Sequence, residues 1–267
     1  MTAGSWEVEG CMKPVMNEFL AAARQIVMEA GTKAKGRPRL REVHHWKAHG
    51  DFVTNGDLLV QDHVISSLKK RFPDHGFESE ESEPENPQAE YVWVLDPIDG
   101  TKYYAKDVPL YAVSLALRRD RQYVLGVVFI PEMARLYCAA AGVGATLNDK
   151  PIKCSSVGRL INASIYMEIP SVEAPLDEQR EAIGKMATLI QRSYRVRVIG
   201  VASIGLCFCA AGGFDVYAHW GSFRKDCDTA AGQVIMRQAG GEFIVVGQHI
   251  VAGPETLCSQ VRKAVGL

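Results

Sequence analysis

The segment from Trp93 to Thr101 constrains this chain most, because an apolar run stops there abruptly at acidic residues. Trp93, Val94 and Leu95 have the aromatic and β-branched character of a buried strand. The sequence Asp-Pro-Ile-Asp-Gly-Thr follows directly, and its proline and glycine indicate that the backbone turns. The segment therefore predicts a strand that ends in a loop carrying two carboxylates.

These carboxylates belong to Asp96 and Asp99, and the bends at Pro97 and Gly100 can bring them to one point. Two ionised carboxylates about 4 Å apart repel by roughly 4 kcal/mol at an effective dielectric constant near 20. Such a pair needs a proton or a cation between its members. Hard oxygen ligands favour magnesium, calcium or manganese, so we expect a metal site at this strand end.

The backbone after the second acid offers the N–H groups of Gly100 and Thr101 beside the expected metal site. Backbone N–H groups at a turn are suited to binding a phosphate oxyanion. Strand, acids, proline and glycine together therefore favour chemistry on a phosphate ester over a simple polar turn.

Composition excludes several classes of function. The 267 residues include 30 lysines and arginines against 31 acidic residues, so no net field attracts nucleic acid or an anionic membrane. The seven cysteines are odd in number and lack paired ligand spacing, which favours free thiols in a reducing cytoplasm. No apolar stretch approaches the roughly 20 residues of a membrane span, and Glu7 and Glu9 make the start unlike a signal peptide.

Hydrophobic spacing predicts the other elements of the chain. A helix is expected from Pro14 to Ala30, ended by Gly31, and a second helix is expected to turn Ile183, Met186 and Ile190 inward. This second helix is predicted at 178–192. The remaining predicted elements are strands at 113–117, 124–131, 161–167 and 196–199 and a helix at 229–239.

The loop from Asp96 to Thr101 resembles the signature of the inositol monophosphatase family, Asp-Pro-Ile/Leu-Asp-Gly-Thr/Ser after a Trp-containing strand. Further family-like segments occur in the same order from about Lys47 to Gly241. Haloacid-dehalogenase phosphotransferases also place an acidic Gly-Thr motif after a strand, but their acids are two apart, whereas here they are three apart.

The resemblance to the inositol monophosphatase family implies an α+β fold, an α-β-α-β-α sandwich forming one phosphatase domain over residues 1–267. Residues 13–150 would carry the metal-binding loops and residues 151–267 would complete the substrate site.

Two acidic segments before the signature resemble family motifs. Asp57 precedes a helical pattern, so its residue type alone leaves helix N-cap and catalytic carboxylate equally open. The segment Asp51 to Asp57 is similar to Asp-Leu-Val-Thr-x-x-Asp, which implies the catalytic role, with Lys47 near a mobile-loop lysine. The segment Ser79 to Ser82, which reads Ser-Glu-Glu-Ser, resembles the family's Gly-Glu-Glu-Ser. This resemblance implies Glu81 as a metal ligand and Glu80 as an acid behind it.

The segment from Asp226 to Gly232, which reads Asp-Cys-Asp-Thr-Ala-Ala-Gly, resembles the family's Trp-Asp-x-Ala-Ala-Gly motif. Counting back from the Gly240-Gly241 pair selects Asp228 as a metal ligand, whereas counting forward from Gly200 without a gap selects Asp226. We prefer Asp228 because the predicted helix after it shares its register. Cys227 occupies the place of the family's tryptophan.

Substrate contacts are implied in two further places. The segment Gly200 to Ser203 resembles the family's Gly-Ser-Ala, which implies that Gly200 and Ala202 contact substrate hydroxyls. His219 falls near the position of an inositol-contacting acid. Lys102-Tyr103-Tyr104 departs from the family's usual Asn-Phe, which bears on the choice of substrate.

The resemblance thus implies a magnesium-dependent, lithium-sensitive phosphate monoester hydrolase. Two or three magnesium ions would be held by Glu81, Asp96, Asp99, Asp228 and the carbonyl of Ile98. Water activated by the metals would attack phosphorus directly, while Asp57 and Thr101 take its proton.

The expected substrate is a small phosphate ester, inositol 1-phosphate or a related sugar phosphate. The alternatives are 3'-phosphoadenosine 5'-phosphate, histidinol phosphate and, from another class, a catalytically weak metal-dependent phospholigand-binding protein. A cytoplasmic homodimer without nucleic-acid or membrane partners is expected.

Overall fold

The computed structural model describes residues 12–48, 51–221 and 226–267, so Glu7 and Glu9 lie outside the described residues. Its helices are α1 (Met12–Ala34), α2 (Asn55–Arg71), α3 (Thr101–Ala105), α4 (Leu176–Arg192), α5 (Ala202–Ala210), α6 (Cys227–Gln238) and α7 (Glu255–Val265). Short 3-10 helices cover Pro38–Arg41, Pro131–Met133 and Leu160–Asn162. The strands are β1 (Val43–Ala48), β2 (Asp51–Thr54), β3 (Gly76–Ser79), β4 (Ser82–Glu85), β5 (Tyr91–Asp99), β6 (Ala112–Arg119), β7 (Gln122–Ile130), β8 (Arg135–Ala140), β9 (Gly144–Leu147), β10 (Lys150–Pro151), β11 (Ser164–Glu168), β12 (Arg195–Val198), β13 (Val216–His219), β14 (Glu242–Val246) and β15 (His249–Gly253).

Two large sheets and three helix layers make up the architecture. The eight-stranded sheet has the order β10-β9-β8-β7-β6-β5-β3-β4, and the five-stranded sheet has the order β12-β11-β13-β15-β14. Helices α1 and α2 cover the outer face of the larger sheet, α5 and α6 fill the space between the sheets, and α4 and α7 cover the outer face of the smaller one. The predicted α-β-α-β-α layering is confirmed. Within the described ranges, no helix is both long and apolar enough to cross a bilayer.

Alternation along β5 decides where its first acid points. Trp93 and Leu95 pack beneath α1 and α2, whereas Val94 packs into the layer between the sheets. Successive side chains of a strand point to opposite faces, so Asp96 lies on the face of Val94, toward α6. The pairing of β5 with β6 shifts register between Asp96 and Asp99. This irregularity breaks the alternation before the second acid is reached.

The start of α2 settles which residue caps this helix. Thr54 is the N-cap, and its Oγ1 accepts the N–H of Asp57 at 3.4 Å. The N–H of Thr54 in turn donates to Asp57 Oδ2 at 2.8 Å, which completes a capping box. Asp57 is therefore not the N-cap itself, and its fully buried carboxylate is held in one orientation within the first turn.

Gly31 does not end the first helix, contrary to the prediction, because α1 continues to Ala34. A Cβ at Gly31 would lie 2.7 Å from Cδ1 of Phe129 on β7. Glycine is needed there because α1 packs closely on the sheet, and α1 keeps its helical hydrogen bonds through this position.

The inward face of α4 was predicted wrongly by one residue. Ala182 and Leu189 are buried, whereas Ile183 and Ile190 are 55% and 58% exposed. Met186 is half-buried and packs at the edge of the core, so it is compatible with either orientation. The helix consequently leaves Leu176, Ile183 and Ile190, which are seven residues apart, as an exposed apolar row.

A glycine on β7 lets α6 approach the larger sheet. A Cβ at Gly126 would lie 2.4 Å from the carbonyl oxygen of Ala231, in the middle of α6. Because backbone meets backbone at this point, the first turn of α6 is brought against the end of β5.

Candidate active site

Four side chains from three separate segments offer metal-ligand atoms to one point. Their ligand atoms lie within 4.8 Å of one another and belong to Glu80, Asp96, Cys227 and Asp228. Glu80 directly follows β3, which runs parallel to β5 with Ser79 paired to Leu95. The next residue of each strand is acidic, so Glu80 and Asp96 meet at the same sheet edge, and the first turn of α6 adds the other two. We call these four residues the metal group.

Asp96 gives the clearest sign that the metal group fits a cation. Its side chain is 1% exposed, and its Oδ1 has no hydrogen-bond partner among the described residues. Burial, together with the charges of Glu80, Asp99 and Asp228, raises the pKa of Asp96 well above its usual value. Burying a carboxylate oxygen that has no hydrogen-bond or charge partner costs roughly several kcal/mol of folding free energy. The three acidic neighbours Glu80, Asp99 and Asp228 and the orphan oxygen of Asp96 fit a bound divalent cation.

Asp99 links the end of β5 to the start of α5. The backbone N–H of Ser203 donates to Asp99 Oδ2 at 2.8 Å. Burial raises the pKa of Asp99 to about 6, although the hydrogen bond from Ser203 opposes the rise. Asp99 therefore adds a second, half-buried carboxylate beside Asp96.

Thr101 and Asp57 form a hydroxyl and carboxylate pair next to the metal group. Thr101 Oγ1 lies 2.9 Å from the carbonyl oxygen of Ile98 and 3.4 Å from Asp57 Oδ1. The other carboxylate oxygen of Asp57 accepts the hydroxyl of Thr54 at 2.5 Å. Burial raises the pKa of Asp57 to about 7, despite the hydrogen bonds from Thr54. The pair is therefore placed to accept a proton near neutral pH.

Gly100 shapes the phosphate-binding turn that the sequence predicts. Its φ of 93° is left-handed, and a Cβ there would lie 2.6 Å from the carbonyl oxygen of Leu110. Glycine alone avoids both penalties. Helix α3 begins at Thr101, and the first N–H groups of a helix have no acceptor within it.

Lys47 bridges the two neighbouring glutamates after β3. Its Nζ lies 2.6 Å from Glu81 and 3.1 Å from Glu80 Oε1. Burial lowers the pKa of Lys47, but the hydrogen bond to Glu81 and the charge of Glu80 outweigh it and raise the pKa overall. Glu80 belongs to the metal group, whereas Glu81 does not. This geometry favours exchanging the roles that the sequence suggested, with Glu80 as the ligand and Glu81 as the acid behind it.

The structure also distinguishes the two aspartates that the sequence left open. Asp228 lies in the metal group, whereas Asp226 is exposed and its Oδ2 accepts the hydroxyl of Tyr123 at 3.2 Å. The geometry therefore favours Asp228, as preferred.

A cleft of about 850 Å³ opens over the metal group. All five predicted substrate contacts lie on its walls, namely Gly100, Thr101, Gly200, Ala202 and His219. The predicted ligands Asp96, Ile98, Asp99 and Asp228 also line it, with Glu80. Asp57 and Glu81 are not among the lining residues.

Glu168 also lies on this cleft, and it was not predicted as a site residue from the sequence. It ends β11, and its Cα partner on the parallel strand β13 is His219. Its side chain is 9% exposed, Oε1 has no hydrogen-bond partner among the described residues, and burial raises its pKa well above the usual value. An acid directly after an apolar strand is the signal that identified Asp96, and it was present here too.

Comparison with known proteins decides the family. Residues 15–263 match the model of the inositol monophosphatase family. The chain belongs to the inositol monophosphatase family. It is a phosphoric monoester hydrolase of that metal-dependent type, as the sequence resemblance implied.

Similar proteins span nearly the full length of this family member. It is 34% identical to the Nus factor SuhB of Pasteurella multocida over 94% of this chain and 96% of that protein. It is 32% identical to human inositol monophosphatase 2 over 91% of this chain and 82% of that protein. The crystal structure of the extragenic suppressor protein SuhB from Bartonella henselae superposes with a TM-score of 0.85 at 26% identity, covering 95% of this chain and 98% of that one.

The exchanged glutamate roles can be tested by Mg²⁺ titration calorimetry. Glu80→Gln is expected to weaken Mg²⁺ binding by more than about 100-fold, because a direct ligand is lost. Glu81→Gln is expected to weaken it less, by about 10- to 100-fold, because outer residues act through the ligands they orient. A larger loss in Glu81→Gln than in Glu80→Gln would restore the original assignment.

Proposed function

We propose that this protein hydrolyses inositol 1-phosphate or a related sugar phosphate in a magnesium-dependent, lithium-sensitive reaction. The observation that carries the proposal is the metal group at the end of β5, directly beside the turn at Gly100 and Thr101. Two or three ions would be held by Glu80, Asp96, Asp99, Asp228 and the carbonyl of Ile98. Magnesium bound there would supply Lewis-acid stabilisation of phosphoryl oxygens and a lowered pKa for water.

The hydroxyl of Thr101 and the carboxylate of Asp57 would take the proton of the attacking water. Thr101 Oγ1 lies 2.9 Å from the carbonyl oxygen of Ile98 and 3.4 Å from Asp57 Oδ1, so the hydroxyl proton would turn from the carbonyl to the carboxylate before it passes to Asp57. Thr54 holds Asp57 through its N–H and its hydroxyl, which keeps the acceptor oriented. General base catalysis of this kind contributes about 10²- to 10⁴-fold to rate.

Backbone N–H groups at Gly100 and Thr101 would hold the phosphoryl oxygens as water attacks and the ester oxygen departs. Donors fixed before the reaction stabilise developing negative charge without having to reorganise. The left-handed conformation of Gly100 sets their direction. Direct attack by water requires no covalent phosphoenzyme.

The walls of the cleft beyond the phosphate-binding turn are suited to a substrate whose alcohol part carries several hydroxyl groups. Glu168 and His219 end adjacent strands, and both line the cleft with Gly200 and Ala202. Carboxylate, imidazole and backbone groups can donate to and accept from several hydroxyls. A polyol ring would satisfy the orphan oxygen of Glu168.

A phosphate-release assay tests the proposed reaction. Inositol 1-phosphate, fructose 1,6-bisphosphate, 3'-phosphoadenosine 5'-phosphate and histidinol phosphate are each supplied with Mg²⁺, with Mg²⁺ and Li⁺, and with chelator. We expect inositol 1-phosphate or the sugar phosphate to be hydrolysed fastest, and only with Mg²⁺. Asp228→Asn should lower kcat by at least about 10³-fold, since several kcal/mol of charge stabilisation is lost. Asp226→Asn, the same change two residues away, should stay near wild type.

Two other outcomes of the phosphate-release assay would change the proposed substrate or the proposed class of protein. Release confined to the nucleotide or to histidinol phosphate would reassign the substrate. No release from any ester by a folded, Mg²⁺-binding protein would favour a phospholigand-binding protein instead.

We also propose a homodimer that buries the exposed row on α4. Leu176, Ile183 and Ile190 are 67%, 55% and 58% exposed, and their spacing of seven places them on one face of the helix. Sedimentation velocity should show a dimer, and Ile183→Glu should shift it to a monomer. A monomeric wild-type protein at micromolar concentration would contradict this.

We also propose that the protein acts in the cytoplasm without nucleic-acid or membrane partners. A formal net charge of −1 supports this, as do the free thiols of Cys138, Cys154, Cys207, Cys209, Cys227 and Cys258. The name Nus factor belongs to relatives such as the Pasteurella protein. The hydrolysis proposed for this chain requires no protein or nucleic-acid partner.

A further inference from the structure

Cys227 brings sulfur into a group otherwise made of carboxylates. Its Sγ lies 3.5 Å from Asp228 Oδ1, where the thiol donates, and it belongs to the set of ligand atoms within 4.8 Å of one another. The side chain is 6% exposed. In the part of the chain that the structure describes, Cys227 is the single cysteine in this group.

A second observation shows that the group is built to receive a ligand. Asp96 is 1% exposed, and its Oδ1 has no hydrogen-bond partner among the described residues. The group is therefore not merely a cluster of solvated acids at the surface. It contains a buried acceptor that needs a positive partner.

The number and kind of donors favour a borderline-soft cation. Magnesium takes oxygen ligands in octahedral geometry and usually keeps several waters. Zinc accepts carboxylate and thiolate together and prefers four ligands. Three carboxylates and one thiol supply four.

We propose that Cys227, with Glu80, Asp96 and Asp228, binds Zn²⁺ through its thiolate at the point where magnesium acts in the proposed function. The thiol proton is released to solvent as the sulfur–metal bond forms. Cobalt and cadmium, which also accept thiolate, bind in the same way.

Zinc bound by all four side chains inhibits the enzyme. Catalytic zinc sites keep an open coordination position for water or substrate, whereas four protein ligands close the tetrahedron. Zinc held in this way also occupies the carboxylates that magnesium needs. The inference shares the metal group with the proposed function and is independent of which phosphate ester is the substrate.

Cobalt spectroscopy tests the sulfur–metal bond directly. The full-length protein is freed of metal with chelator, kept reduced with a phosphine and titrated with Co²⁺. Wild type is expected to develop a near-ultraviolet thiolate-to-cobalt charge-transfer band that Zn²⁺ removes. Cys154→Ser, which changes a half-buried cysteine outside the metal group, is expected to keep the band. Cys227→Ser and Cys227→Ala are expected to lack it, with circular dichroism confirming that both fold.

Competition measurements add the selectivity. Cys227→Ser should weaken Zn²⁺ binding at least about tenfold while changing Mg²⁺ binding less, because oxygen ligands remain. No band in wild type, an undiminished band in both Cys227 variants, or equal losses for the two metals would overturn the inference. A band without phosphate release would sustain it while the proposed function failed, and release without a band would do the reverse.

Discussion

Repulsion among the carboxylates gathered around buried Asp96 at the end of β5 is the interaction on which the rest of this structure depends. Asp96 is almost fully buried and faces Glu80, Asp99 and Asp228, and burial with these charges raises its pKa. Without a cation, the arrangement favours holding protons. Folding therefore spends stability to assemble a place that a divalent ion can fill. The surrounding packing must be rigid enough to keep the acids together.

The layers supply that rigidity from three directions. Parallel β3 and β5 end side by side, which places Glu80 next to Asp96. Gly126 lets α6 lie against β7, so Asp228 reaches the same edge. The start of α5 fixes Asp99 through the N–H of Ser203. Strands of the larger sheet come from residues 76–151 and those of the smaller sheet from 164–253, so the metal group joins both parts of the chain.

Local patterns in the sequence predicted what local physics decides. The apolar run before Asp96 indicated a buried strand, and the proline and glycine after it indicated a turn. Hydrophobic spacing predicted the wrong inward face of α4. The buried pair Ala182 and Leu189 lies one position before Ile183 and Ile190, which are exposed. Size and apolarity favoured the isoleucines, but tertiary packing required the smaller alanine at the contact.

Other features depended on geometry that no local pattern carries. Adjacent Glu80 and Glu81 leave a strand end in different directions, so the choice between them depends on how β3 pairs with β5. The position of Lys47 on Glu81 comes from a separate hairpin. Glu168 lies on the cleft because β11 and β13 are neighbouring parallel strands, which places it beside His219.

Manganese soaked into crystals of the protein tests the central claim most directly. Manganese prefers the same oxygen ligands as magnesium, and its anomalous scattering locates it without reference to activity. The account predicts a strong anomalous peak between the carboxylates of Glu80, Asp96 and Asp228. A fully soaked crystal with no peak there, or with peaks confined to surface acids, would contradict it.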